Sequence, residues 1–82
     1  MIHQTKIELV NTKHEQIFGK ELLVTVDTHF KLDKITAVRE YLDEESDQPS
    51  PEKCVIYLEV EGSFIIHTPY KEMLRLFYEA NN

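Results

Sequence analysis

Glycine is scarce in this sequence, and its scarcity excludes several chemistries at once. The 82 residues hold two glycines, Gly19 and Gly62, far apart. Loops that cradle phosphate need successive glycines so that backbone N–H groups can approach the anion, which rules out P-loop and dinucleotide-binding sites. The single cysteine, Cys54, leaves no intrachain disulfide framework and fits a reducing compartment. Its place at the start of an apolar strand marks it as a buried structural thiol. Positive charge is also short: nine Lys and Arg stand against 15 Asp and Glu, a net charge of −6. The basic residues are scattered from Lys6 to Arg75, so direct contact with bare nucleic acid is disfavoured. No stretch approaches the length of a membrane span, and MIHQTKIELV lacks the basic and long apolar regions of a signal peptide. A cytoplasmic protein without membrane insertion is the expectation.

Catalytic and metal signatures are missing as well. The elbow G-x-S-x-G is absent, and neither Cys54 nor the serines carry a local pattern for nucleophilic catalysis. Histidines stand at 3, 14, 29 and 67, with no i, i+4 pair and no H-x-H. Metal sites usually draw two ligands from one short element, because local spacing fixes their geometry. The expectation is therefore no enzyme, no cofactor and no metal, with the histidines on the surface or at strand edges. A small-ligand site or small enzyme would need a pocket with converging polar groups, for which His29, His67 and Cys54 are the candidates. His29 and His67 on adjacent strands would also give the fold a pH response.

What is present is a strand-rich pattern closed by a helix. CVIYLEVEGSFIIHT reads as two strands. Ile56, Leu58, Phe64 and Ile66 can share one face only across a connection with an odd number of residues, because side chains switch faces at each step. A three-residue loop Val60-Glu61-Gly62 meets that requirement, puts Gly62 at a left-handed position, and pairs Leu58 with Phe64 and Ile56 with Ile66. Thr68 fits a helix N-cap and Pro69 the first helical position. In PYKEMLRLFYEA, Met73, Leu76, Phe77 and Ala80 fall together, widened by Tyr70, Leu74 and Tyr78 to an arc of roughly 200°, where a surface helix needs ~100°.

Upstream, Thr5 to Val10 alternates as a short strand, with Ile7 and Leu9 on one face. Asn11 to Lys20 reads as a connection that Ile17 and Phe18 pin to the core. Leu22, Val24, Val26, Thr28 and Phe30 alternate with Leu23, Thr25, Asp27 and His29 as a half-buried strand. LDKITAVREYL alternates as a strand from Val38 to Leu42, although Asp33 could cap a helix there. DEESDQPSPEK, residues 43–53, has two prolines, several acids and no apolar anchor. It reads as an exposed, mobile loop, whose Asp43, Glu44, Glu45, Asp47 and Glu52 could serve as a decoy for nucleic acid.

LDKITAVREY, then CVIYLEVEGSFIIHT, then PYKEMLRLF resembles the small flagellar-locus proteins of the FlbD type over about residues 30–78. The shared feature is an apolar pattern with one glycine turn and a short C-terminal helix. The resemblance implies a small, cytoplasmic, non-enzymatic protein; the strand-bearing N-terminal extension and the acidic loop are departures from that family. The pattern is also similar to LytTR DNA-binding domains, but those read DNA with basic loops where this chain has an acidic one.

These observations together predict a single α+β domain over residues 1–82. Its expected architecture is a twisted antiparallel sheet or half-barrel of about five strands, with one C-terminal helix packed on a face. The expected function is a non-enzymatic interaction or regulatory module that binds another protein or its own copy, with Tyr57, Ile65, Tyr70 and Tyr78 as anchors. An acidic inhibitor of a nucleic-acid-binding protein and a small-ligand-binding protein are the alternatives.

Overall fold

Strand alternation builds most of this molecule. The computed structural model describes residues 2–10, 19 and 23–81. In chain order the elements are β1 (Ile2–Val10), β2 (Leu23–Lys31), a 3-10 turn (Leu32–Lys34), β3 (Ile35–Leu42), β4 (Pro49–Leu58), β5 (Gly62–Ile66) and α1 (Tyr70–Ala80). The strands form one antiparallel sheet in the order β2-β1-β5-β4-β3. The α+β architecture is the one the alternation predicts, and the ambiguous segment before Leu42 resolves into the 3-10 turn followed by β3. The expected connection from Asn11 to Lys20, with Ile17 and Phe18, and the start of the second strand at Leu22 lie outside the described residues apart from Gly19.

One face of the sheet carries Ile7, Ile66, Cys54, Ile56 and Ile35, all buried, and α1 adds Met73 to the same core. The helix packs on β3, β4 and the 3-10 turn. It covers only part of this face: Leu9 and Val26, on the β1–β2 side, remain 40% and 39% exposed. The Cα radius of gyration, 13.7 Å, exceeds the roughly 12 Å of an evenly packed chain of this length, as expected of a sheet wider than its helix. β1 and β5 meet at Ile7–Ile66 and at the bond from the His67 N–H to the Lys6 carbonyl (2.8 Å), so a long two-stranded ribbon joins a three-stranded sheet through a short seam.

Three local expectations need correction. The β4–β5 loop is Glu59-Val60-Glu61, with Leu58 opposite Gly62, Ile56 opposite Phe64 and Cys54 opposite Ile66. The odd loop length and the shared face hold, and Gly62 has the left-handed φ of +95°. The ladder is shifted by two residues, a slip that leaves every side chain on its own face. The helix begins one residue late, with Pro69 as its cap, and the Thr68 hydroxyl pairs with that of Thr5 on β1 instead of capping it.

The acidic loop is shorter than residues 43–53. Pro49, Ser50, Pro51 and Glu52 belong to β4, whose first half runs past the end of β5 and so has β3 as its ladder partner. Proline is tolerated there because one side of the strand needs no ladder donor. The remaining turn is held by Asp43 N–H to Gln48 O (2.9 Å), Asp47 N–H to Asp43 O (2.9 Å) and Glu45 N–H to Asp43 Oδ1 (2.9 Å). Asp47 takes a left-handed φ of 58°, which an Asp side chain accepts more readily than most.

Candidate contact surface on the sheet face opposite the helix

The face opposite α1 follows from the same alternation. Since Ile7, Ile66 and Cys54 point toward the helix, their neighbours Glu8, His67 and Lys53 point away from it. Those three meet. Glu8 Oε1 accepts a hydrogen bond from Lys53 Nζ at 2.6 Å and lies 3.0 Å from His67 Nε2. The Glu8 side chain is only 10% exposed although no helix of the described residues covers this face, because its partners and neighbours close over it. The Lys53 hydrogen bond holds the Glu8 carboxyl below the usual carboxylate range; burial opposes this and the His67 contact reinforces it. The same hydrogen bond raises Lys53.

Tyr41 continues this row on β3, with Lys53 Nζ 5.8 Å from its ring centre. A second row carries Ile65, Val55 and Arg39, and a third carries Tyr57. The Arg39 guanidinium lies over the Tyr57 ring at 5.2 Å. The result is an apolar and aromatic strip of Val55, Tyr57 and Ile65, all half-buried, beside Arg39 and a neutralised carboxylate. Such a strip offers aromatic area beside the Arg39 cation and a paired carboxylate, which suits contact with another protein surface better than proton transfer.

The four anchors expected from the sequence do not share one surface. Tyr57 and Ile65 lie on this open face. Tyr70 packs against the core from the first turn of α1, and Tyr78 is 59% exposed on the helix. The wide apolar arc of α1 thus divides into a core-facing stripe around Met73 and an exposed flank at Tyr78.

His29, His67 and Cys54 are not brought together. Cys54 is fully buried on the helix side, where burial pushes its thiol up to about 11. His67 faces the other way, and His29 lies on β2, separated from β5 by β1, so the two histidines do not sit on adjacent strands. Among the described residues, no three His, Cys, Asp or Glu side chains gather as a metal would require, and no helix is long and apolar enough to cross a membrane.

The histidine that does report burial is His3, which no local sequence signal singles out. Its Nε2 is 3.0 Å from Thr68 Oγ1, which also lies 2.7 Å from Thr5 Oγ1, and its ring meets Phe30 edge-on at 5.6 Å. Burial lowers its pKa, with Glu72 pulling weakly the other way. Of the acids, Asp43, Glu44 and Glu45 line the rim of a polar hollow with Tyr41, Ser50 and Lys53, Asp47 sits at the turn, and Glu52 stands on β4. The Glu8 cluster joins residues 45 and 59 positions apart and leaves no local trace in the sequence. Comparison of the chain with protein-family models, curated proteins and solved structures returns no match.

Proposed function

We propose that this chain is a non-enzymatic interaction module that acts through protein–protein contacts, with the face of β5, β4 and β3 opposite the helix as its contact surface. The observation that carries this reading is the strip of Val55, Tyr57 and Ile65 under Arg39, on a sheet face that α1 leaves open. Tyr57 and Ile65 act as anchors, and the Glu8–Lys53–His67 cluster ties β1 to β4 and to the end of β5 and supplies a polar rim. The apolar pattern shared with FlbD-type proteins supports the same class, a small cytoplasmic adaptor. Tyr78, exposed on the helix, adds a secondary contact on the opposite side.

The test is capture from the native lysate with tagged protein, with and without nuclease, at low and high salt. A stoichiometric protein retained through nuclease and high salt, and lost with Tyr57→Ala, is the expected result. The gathering of Asp43, Glu44 and Glu45 at one rim of the sheet favours a second reading, an acidic inhibitor of a nucleic-acid-binding protein. Under that reading the partner is lost at high salt and on neutralising Asp43, Glu44, Glu45, Asp47 and Glu52, while Tyr57→Ala has no effect.

A further inference from the structure

The two edges of the sheet are unlike. β3 closes one side; its ladder with β4 is interrupted between Ile35 and Ala37 and again between Glu40 and Leu42, and α1 packs against it. Bulges and a covering helix are devices that protect an edge from further pairing. β2 forms the other edge. It pairs with β1 without a shift from Ile2–Lys31 to Val10–Leu23, and it contains no proline or glycine. Among the described residues no strand lies beyond it. Among the described residues its outer edge is an unpaired template with an unshifted register.

The side chains along that edge fit a second copy in one register. A twofold antiparallel pair centred on Asp27 sets two carboxylates opposite each other, which is repulsive. Centring on His29 sets Asp27 against Lys31 but ends the ladder there, since Leu32 has left the strand for the 3-10 turn and is buried. It thus pairs a shorter stretch than centring on Thr28, which reaches Thr25 with Lys31. Centring on Thr28 places Asp27 opposite His29 of the second copy, Val26 opposite Phe30, Thr25 opposite Lys31, and Thr28 opposite itself. The carboxylate meets a ring N–H donor, a β-branched residue meets an aromatic one, and threonine meets threonine, the pairings that stabilise antiparallel strands. The faces agree too. Val24, Val26, Thr28 and Phe30 lie on the helix side, where Val26 and Leu9 leave apolar surface for the second copy to extend, and Thr25, Asp27, His29 and Lys31 are exposed on the other side.

We infer that the chain forms a twofold dimer by antiparallel β2–β2 pairing centred on Thr28, joining two sheets edge to edge. The interface is isologous, so each favourable pair off the axis occurs twice. This rests on the reading of the protein as an interaction module and names one partner, a second copy, on a surface separate from the Tyr57 strip.

Sedimentation of the full chain across micromolar to millimolar concentrations tests it. Wild type passes from monomer to dimer. His29→Asp creates two Asp–Asp pairs and weakens the dimer roughly tenfold or more, and the exchange Asp27→His with His29→Asp restores it. Both variants keep the wild-type circular dichroism, since both side chains are exposed. A short thiol cross-linker then tests the register. Thr28→Cys is trapped as a covalent dimer, because its two copies face each other. Thr25→Cys is not, since its two copies lie about 20 Å apart along the strands. Cys54 is buried and does not compete.

A monomer at every concentration overturns the dimer and leaves the Tyr57 surface to its own capture test. A dimer insensitive to the β2 changes but abolished by Tyr57→Ala also overturns it, and supports self-contact through the open face instead. A β2 dimer beside a Tyr57→Ala variant that loses nothing in capture upholds this inference and removes the open face as the contact surface.

Discussion

Replacing Lys53 by methionine takes away the shorter of the two contacts on Glu8 Oε1 and leaves the carboxylate with His67 Nε2 at 3.0 Å. The magnitude depends on which regime the pair occupies. An exposed ion pair contributes about 0.2–1 kcal/mol, whereas stripping a donor from a buried acceptor costs roughly 1–3 kcal/mol. Glu8 is 10% and Lys53 32% exposed, which places the carboxylate near the buried case and its partner near the surface case. A loss of about 2 kcal/mol follows, or roughly 8–16 °C in Tm for a domain of this size. Urea denaturation at neutral pH measures it, and a cycle with Glu8→Gln isolates the pair from the contact of Lys53 with the Tyr41 ring. The loss must also depend on pH. Glu8 has a folded pKa below its ordinary 4.5, so the unfolded chain binds the proton first on acidification. Its stabilisation is present above pH 4.5 and disappears as pH falls through the folded value. Lys53→Met and wild type should therefore converge once the pH has fallen below that folded value. A difference below about 0.5 kcal/mol at neutral pH, or one unchanged by acid, would refute the reasoning.

Other outcomes are equally specific. Gly62→Ala should cost about 1–2 kcal/mol in chemical denaturation, and Gly62→Val more, since a left-handed φ penalises any Cβ. No atom lies within 4 Å of where that Cβ would sit, so the cost is backbone conformation alone, and an Ala variant as stable as wild type would contradict it. His3 has a folded pKa below its ordinary 6.5, so its contribution is complete above pH 6.5 and is lost as pH falls below that value. Thermal stability should decline there well before the Glu8 window is reached, and His3→Gln should flatten that part of the curve. A Tm constant down to about pH 5 would show that His3 is not held neutral.

Alternation made most of the fold legible. Ile56, Leu58, Phe64 and Ile66 identified the core face and forced an odd loop, but parity constrains faces and not register, so the ladder could slide by two residues without contradiction. Thr68-Pro69 carried the local signature of a helix start, and it gave way to a sheet contact with Thr5 that is 63 residues distant. The prolines at 49 and 51 concealed the start of β4, since strand propensity does not reveal that half a strand lacks a neighbour. The surface proposed for binding was half visible. Tyr57 and Ile65 could be assigned to the face away from the core, whereas Arg39 above Tyr57 and the closure of Glu8 by Lys53 and His67 require the strand order, which no local spacing encodes.

The central claim is that the two faces of the sheet have different tasks, the helix side holding the fold together and the opposite side making contact. Measuring the stability and the association of Tyr57→Ala side by side tests it most directly. The account predicts a denaturation midpoint close to wild type together with loss of the captured protein. A variant that unfolds, or one that binds as wild type does, would contradict it.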